Sequence, residues 1–344
     1  MINLNVGNLW DDEFLDTVIK WNDEFKDKNI RVESLFGSIA RLTPTARSAD
    51  RIPFRNWDFI EEYTSKVMNN GMSIRYTLNH SCIGSLQDFK SSWENNLKNT
   101  LQKLHDAGVK EWTVTSPLLV ELLREMFPSD FIEVSTIAEV STPEEMQWWI
   151  DLGANGVNLS TSINRNPSKI NQIMKLECTV SILANEACLF RCPWRRECYN
   201  LSSHDSFRLD ALFKSYPFQR CNEIRLEAPE EWIKSRLLLP QWLFEYQAAF
   251  GVNWFKVAFR THPKEVALPI LRLYMEQDFH GNLLDLWPTI AQLGHTVEPR
   301  DHTYISADKM DSCLNYFMVN GHKCDDHACF ECGICASMLE APQA

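Results

Sequence analysis

The sequence predicts an α/β chain, a (β/α)8 barrel carrying a small cysteine-rich appendage at its C-terminal end. Three observations lead there. Eight short β-rich runs recur along the chain, with amphipathic helical stretches between most of them. A core of about 250 residues suits such a barrel. No G-x-G-x-x-G or Walker-type loop occurs, and only 12 glycines are present, so a doubly wound phosphate-binding sheet lacks its usual mark.

The runs are residues 31–37 (RVESLFG), 73–78 (SIRYTL), 111–115 (EWTVT), 131–137 (FIEVSTI), 156–160 (GVNLS), 177–183 (ECTVSIL), 222–226 (NEIRL) and 253–259 (NWFKVAF). β-Branched and aromatic residues are frequent in them, which suits a pleated, buried surface. Between them, residues 86–107 space Trp93, Leu97, Leu101 and Leu104 along one helical face. Ser141 and Thr142 are cap candidates before Pro143, and Glu144 and Glu145 suit the dipole of a first turn. Ala154-Asn155-Gly156 then stops that helix and leads into the next strand. One connection breaks the rhythm. The long stretch between the runs at 177–183 and 222–226 opens on a dense group of cysteines, and it leaves a strand C-terminus, where barrels carry their sites. The barrel with its cysteine-rich loop 185–221 is assigned to residues 1–300. Residues 301–344 are the appendage, a helix around 307–318 followed by more cysteines.

Composition excludes several classes. The formal charge is −12, from 34 basic and 46 acidic side chains, so phosphate backbones are repelled and nucleic acid is not favoured. The one basic cluster, Arg191, Arg195 and Arg196, lies inside the cysteine loop. No apolar stretch approaches the ~20 residues of a membrane span. Met1-Ile2-Asn3-Leu4-Asn5 has no export signal, which points to a reduced cytoplasmic setting where disulfides are rare.

The 11 cysteines fall mainly into two groups, Cys188, Cys192, Cys198 and Cys221 in the loop and Cys324, Cys329, Cys332 and Cys335 in the tail. Thiolates spaced a few residues apart can converge on one soft metal centre. Pro193 and the arginines beside the first group are not an apolar core sequence. Cationic neighbours lower thiol pKa values and offset a metal cluster's negative charge. The tail spacing is compatible with zinc or with iron–sulfur, and His322 and His327 could replace one thiolate. Cys82, Cys178 and Cys313 stand alone, and Cys178 reads as core. Polar residues expected at strand ends complete a candidate pocket: Asn79, His80, Thr115, Ser116, Ser135, Thr136, Asn158, Ser160, Asn185, Glu186, Arg225, Glu227, Lys256 and Arg260. No Gly-x-Ser-x-Gly elbow or His-Glu-x-x-His pair is present, so serine or zinc peptidase machinery is not recognisable.

Residues 185–204 (NEACLFRCPWRRECYNLSSH) resemble a branch of the collagenase-like peptidase family U32, in its Asn-x-x-Cys-x-x-x-Cys-Pro-x-Arg pattern. Residues 251–260 (GVNWFKVAFR) are similar to the signature of that family around Lys256 and Arg260, with Phe259 where glycine is usual. Residues 265–276 and 281–286, Leu35-Phe36-Gly37-Ser38 and the closing cysteines extend the likeness. Cys198 stands where the branch carries histidine. The resemblance implies a barrel-like fold and a cysteine-bound 4Fe–4S cluster, on Cys188, Cys192, Cys198 and Cys221. It also implies oxygen-independent hydroxylation in several members and peptidase names in others. The expectation is therefore an iron–sulfur enzyme performing a redox modification of a small-molecule or peptidyl substrate, served by an electron-donor protein. Glu186, Lys256 and Arg260 are the expected catalytic residues, and Asn79, Asn158, Asn185 and Arg225 the expected substrate contacts. A peptidase, and a non-enzymatic electron-transfer or scaffold subunit, are the alternatives.

Overall fold

Residues Ile2–Gly7 (INLNVG) form the first strand, β1, and close the barrel by pairing in parallel with β2 (Ile30–Gly37) on one side and β8 (Trp254–Val257) on the other. The computed structural model describes residues 1–82, 91–186, 188–206, 216–259, 262–287, 303–318, 324 and 329–339. The remaining strands are β3 (Ser73–Leu78), β4 (Glu111–Val114), β5 (Phe131–Val134), β6 (Gly156–Asn158) and β7 (Thr179–Leu183). All eight pair in sequence order as a closed parallel barrel. Helices α1 (Asp12–Glu24), α2 (Trp57–Asn69), α3 (Ser91–Asp106), α4 (Pro117–Met126), α5 (Pro143–Asp151) and α6 (Pro167–Ile173) follow the first six strands. Between β7 and β8 come α7 (Arg195–His204), α8 (Tyr216–Glu227), α9 (Glu230–Lys234) and α10 (Trp242–Phe250), and α11 (Lys264–Glu276) follows β8.

The predicted barrel is therefore observed, with one strand misplaced. Residues 222–226 lie inside α8 and are not a strand, while Ile2–Gly7 supplies the missing one. The alternation in NEIRL is too short to separate a strand from a helix, and in α8 Cys221 and Arg225 fall four residues apart on one face.

Apolar strand residues turn outward. Leu4, Val6, Ile74, Tyr76, Leu78, Trp112, Val114, Ile132, Val134, Ile182 and Phe255 are buried in one cluster with the helices. Their period-2 partners line a polar lumen: Asn5, Ser34, Arg75, Thr113, Glu133, Asn158, Ser181 and Lys256 are all buried. Glu133 is its centre. It takes Arg75 Nη1 at 2.7 Å and Lys256 Nζ at 3.4 Å as ion pairs, and accepts hydrogen bonds from Ser181 Oγ at 3.0 Å and Thr113 Oγ1 at 3.3 Å. Arg75 also pairs with Glu111 at 2.8 Å and lies over the Phe131 and Trp254 rings. Burial by itself would raise the Glu133 pKa, but Arg75 and Lys256 outweigh it and hold the carboxyl below the ordinary value of 4.5.

The start of α5 is built as its residues predict. Thr142 Oγ1 accepts the Glu145 N–H at 3.2 Å, Glu145 Oε2 accepts the Thr142 N–H at 3.1 Å, and Pro143 opens the helix. Thr142→Ala should cost about 1 kcal/mol of unfolding free energy in a urea titration. A loss no larger than scatter would mean that Ser141, whose N–H also reaches Glu145, caps alone.

Residues after β8 pack back on the barrel. Ser306 bridges Asn282, the Leu283 N–H donates to the Ile305 carbonyl at 2.8 Å, and Trp242 Nε1 donates to Asp311 at 2.7 Å. The helix expected around 307–318 is two short ones, Ala307–Ser312 and Leu314–Met318, broken at Cys313. Ile305, Met310, Phe317 and Met338 join the same core cluster as the strands.

Candidate functional site

The segment between β7 and β8 leaves the C-terminal end of β7, and its first helix is fastened across the loops that follow β2 and β3. The Ser81 N–H donates to Ser203 Oγ at 2.9 Å, and Ser81 Oγ donates to Asn200 at 2.7 Å. From the β2 side, the Thr45 N–H donates to Ser206 Oγ at 3.4 Å and the Ala49 N–H to the Asp205 carbonyl at 3.3 Å. Asn79, at the end of β3, accepts from Thr45 Oγ1 at 3.2 Å and from the Ala46 N–H at 3.4 Å, joining those two loops. Asn185 does the same for β7 and β8, donating to the Ala258 carbonyl at 3.0 Å and accepting its N–H at 2.7 Å. These two asparagines hold the frame of the barrel mouth.

Within this frame lie the four cysteines of the first group. Burial raises the pKa of each of Cys188, Cys192, Cys198 and Cys221. Cys198 is pushed up to about 12, first by burial and then by the negative charges of Cys221 and Cys192, against Arg47 and Arg195. Cys221 feels Cys192, and Cys188 feels Cys198, so all four thiols share one electrostatic neighbourhood. Arg191 turns the chain between Cys188 and Cys192 with a left-handed φ of 52°.

Two guanidiniums stand beside them. Arg195 is ion-paired with Glu139 at 3.0 Å and with Glu186 at 3.5 Å, and Glu186 also accepts the Cys188 N–H at 3.1 Å. Arg225 Nη1 donates to Cys221 Sγ at 3.7 Å while its plane covers the Trp232 ring, 4.5 Å from its centroid. Across the mouth, His80 is buried with neither ring nitrogen in a hydrogen bond of good geometry, and burial lowers its pKa to about 4. His80 is therefore a neutral imidazole at pH 7.

The structure places the expected site residues unevenly. Glu186 sits against the cysteine group. Lys256, an expected catalytic residue, lies within the lumen, paired with Glu133 and 4.1 Å from the Phe36 ring centroid. Asn158 also points into the lumen and donates to Ser181 Oγ at 2.8 Å. Arg225 and Glu227 belong to α8 and not to a strand end. Arg260, His322 and His327 lie outside the described residues. Cys178, read as core, is only half-buried: it stands just before β7, its pKa pushed up to about 11 by burial, and helps line a cavity at the opposite end of the barrel beside Asn3 and Trp254. Sequence reasoning passed over Glu139 and Arg47. Neither stands near a cysteine in the chain, and only folding brings them to the group.

Comparison with known proteins agrees with this architecture. Residues 51–190 match the model of peptidase family U32. The chain is 25% identical over 286 residues to the uncharacterized protease MJ1657 of Methanocaldococcus jannaschii, covering 83% of this chain and 81% of that protein. Over residues 51–190, then, this chain is similar to peptidase family U32. Its barrel superimposes on the U32 peptidase Mk0906 with a TM-score of 0.55 at 16% identity, over 76% of this chain and 94% of that one. That likeness speaks for the fold alone. Among the described residues, no helix is long and apolar enough to cross a membrane.

Proposed function

We propose that this protein is a cytoplasmic iron–sulfur enzyme that performs an oxygen-independent redox modification, a hydroxylation, of a small-molecule or peptidyl substrate at the C-terminal mouth of its barrel. The observation that carries this reading is the gathering of Cys188, Cys192, Cys198 and Cys221 with Arg195 and Arg225 at the end of β7. In kind, the donor set fits a cysteinyl cluster: four thiols from one excursion, with cations placed to offset the negative charge of a thiolate-bound centre. In placement, no three His, Cys, Asp or Glu side chains among the described residues stand at metal-binding separation, so the four sulfurs must draw closer to hold one. A bound cluster would supply one-electron chemistry or a Lewis-acidic iron.

The protein's own groups then have distinct tasks. Arg195 and Arg225 hold positive charge beside the sulfurs. Glu186 fixes the loop entering at Cys188 and anchors Arg195. His80, neutral and lacking a hydrogen-bond partner of good geometry, can receive a proton at its one unprotonated ring nitrogen on the β3 side of the mouth. Hydroxylation with water as the oxygen source releases two electrons and two protons from the substrate, so the redox partner would be an electron acceptor in place of the donor expected. The names of the relatives are what favour a peptidase instead.

Anaerobically purified protein is expected to carry about four irons and four sulfides on this group and an EPR signal on reduction. Protein that takes up no iron after anaerobic reconstitution, yet cleaves peptides, would establish the peptidase reading in its place.

A further inference from the structure

The lumen of this barrel is filled unlike an ordinary one. Inward positions of a (β/α)8 barrel are commonly layered with Val, Ile and Leu, which pack it solid. Here Asn5, Ser34, Thr113, Asn158 and Ser181 stand in their place, all at most 1% exposed. One layer nearer the mouth, Gly7, Ser135, Ser160 and Ala258 are short as well, and Thr115 and Ala258 are only half-buried.

Several of these polar atoms have no partner among the described residues. Neither Asn5 Nδ2 nor Asn5 Oδ1 makes a hydrogen bond, and Ser34 Oγ and Asn158 Oδ1 make none either. Strand register sets Asn5 between Ser34 on β2 and Lys256 on β8. Lys256 reaches Glu133, Glu133 accepts from Ser181 Oγ, and Ser181 Oγ accepts from Asn158 Nδ2 at 2.8 Å. The unpartnered atoms therefore sit at the two ends of one polar chain across the lumen. Nearer the mouth, Thr115 Oγ1 is unpartnered too. A buried amide or hydroxyl without a hydrogen bond costs about 1–3 kcal/mol, whereas ordering one water costs at most about 2 kcal/mol and can answer several such groups.

The chemistry of this set selects its ligand. The charges of the lumen already match, Arg75 and Lys256 against Glu133 and Glu111, so no ion is called for. The unpartnered atoms mix donors, Asn5 Nδ2 and Ser34 Oγ, with acceptors, Asn5 Oδ1 and Asn158 Oδ1. Water, which gives and takes hydrogen bonds equally, suits them. We propose that Asn5, Ser34 and Asn158 bind water inside the barrel, and that this internal water is the oxygen source drawn on at the mouth. The second half rests on the proposed hydroxylation; the water site itself does not. In that reaction a substrate C–H bond and a water O–H bond break and a C–O bond forms. Two electrons pass to the acceptor protein, and two protons leave through the mouth. A substrate seated over the mouth shuts out bulk solvent and leaves the store beneath it as the water within reach.

The test is magnetic relaxation dispersion of the water oxygen nucleus on the full chain, which counts long-lived internal waters and times their exchange. Asn5→Leu, which puts an apolar side chain in that space, should lower the wild-type count by about one or two. Circular dichroism checks that each variant folds. A folded Asn5→Leu protein with the wild-type count overturns the water site. Should that variant fail to fold, a crystal structure of the wild type decides. Ordered water within about 3.2 Å of Asn5, Ser34 and Asn158 is expected, and an ion or a closed side-chain network there overturns it. Ala258→Leu narrows the upper layer without touching the three binding residues. The count should stay, and exchange should slow by about tenfold. Unchanged exchange would mean that the water leaves by another route, and would overturn its supply to the mouth. Neither measurement needs iron or turnover. Iron-free protein with the expected waters would therefore defeat the proposed function and leave the water site standing.

Discussion

Glu133→Gln is expected to destabilise the barrel by about 3–5 kcal/mol at neutral pH, read as a fall in the urea midpoint with an unchanged slope. The wild-type carboxylate neutralises Arg75 and Lys256 inside a lumen where no bulk water compensates either cation. Glutamine keeps the volume and removes the charge, leaving two buried cations with Glu111, half-buried at the lumen's edge, paired to Arg75 alone. The pH dependence has a definite sign. Because the folded Glu133 pKa lies below its ordinary value of 4.5, its contribution is fully present above that value and is lost as pH falls through the lower folded one. The variant should therefore show a flatter acid limb than wild type. Adding Lys256→Met should recover part of the loss, since an apolar replacement removes one of the stranded charges. A cost below about 1 kcal/mol would show that the network is not a keystone of the barrel.

Replacing Cys188 and Cys192 together by serine is expected to lower the iron held at the barrel mouth by about tenfold or more and to bleach the brown colour belonging to it. Both positions belong to the turn that leaves β7, and serine oxygen is a poor ligand for a cluster that prefers thiolate. Unfolding of the apo-protein should change little, because Cys192 is half-buried and Cys188 is held through its backbone N–H by Glu186. An unchanged iron and sulfide content in that double variant, with the tail cysteines also replaced, would remove the cluster from the mouth altogether.

Much of the architecture was legible from local pattern. Seven of the eight runs, all but 222–226, lie where strands form in the observed barrel, because each is bounded by turns and helices whose caps are encoded nearby. Thr142, Pro143 and Glu145 form the helix start that their order predicts. Two readings failed for one physical reason. INLNVG alternates apolar residues with asparagine, and its polar face meets the lumen instead of water. NEIRL alternates too, but there the pattern is the chance face of a helix. Period-2 alternation states which residues share a side and is silent on what covers that side.

The same distinction holds for the site. Cysteine spacing, which depends only on how few residues a turn needs, marked both thiol groups directly in the chain, and it placed the first of them after a barrel strand. Which charges answer those thiols was decided by the tertiary structure. Glu139 reaches Arg195, and Arg47 reaches Cys198, across separations that no local pattern spans. Lys256 shows the converse: a lysine near a strand end could face a ligand or a carboxylate, and only barrel closure, which sets β5 across from β8, gave it Glu133. Coulomb energy depends on distance and burial, and neither exists until the chain is folded.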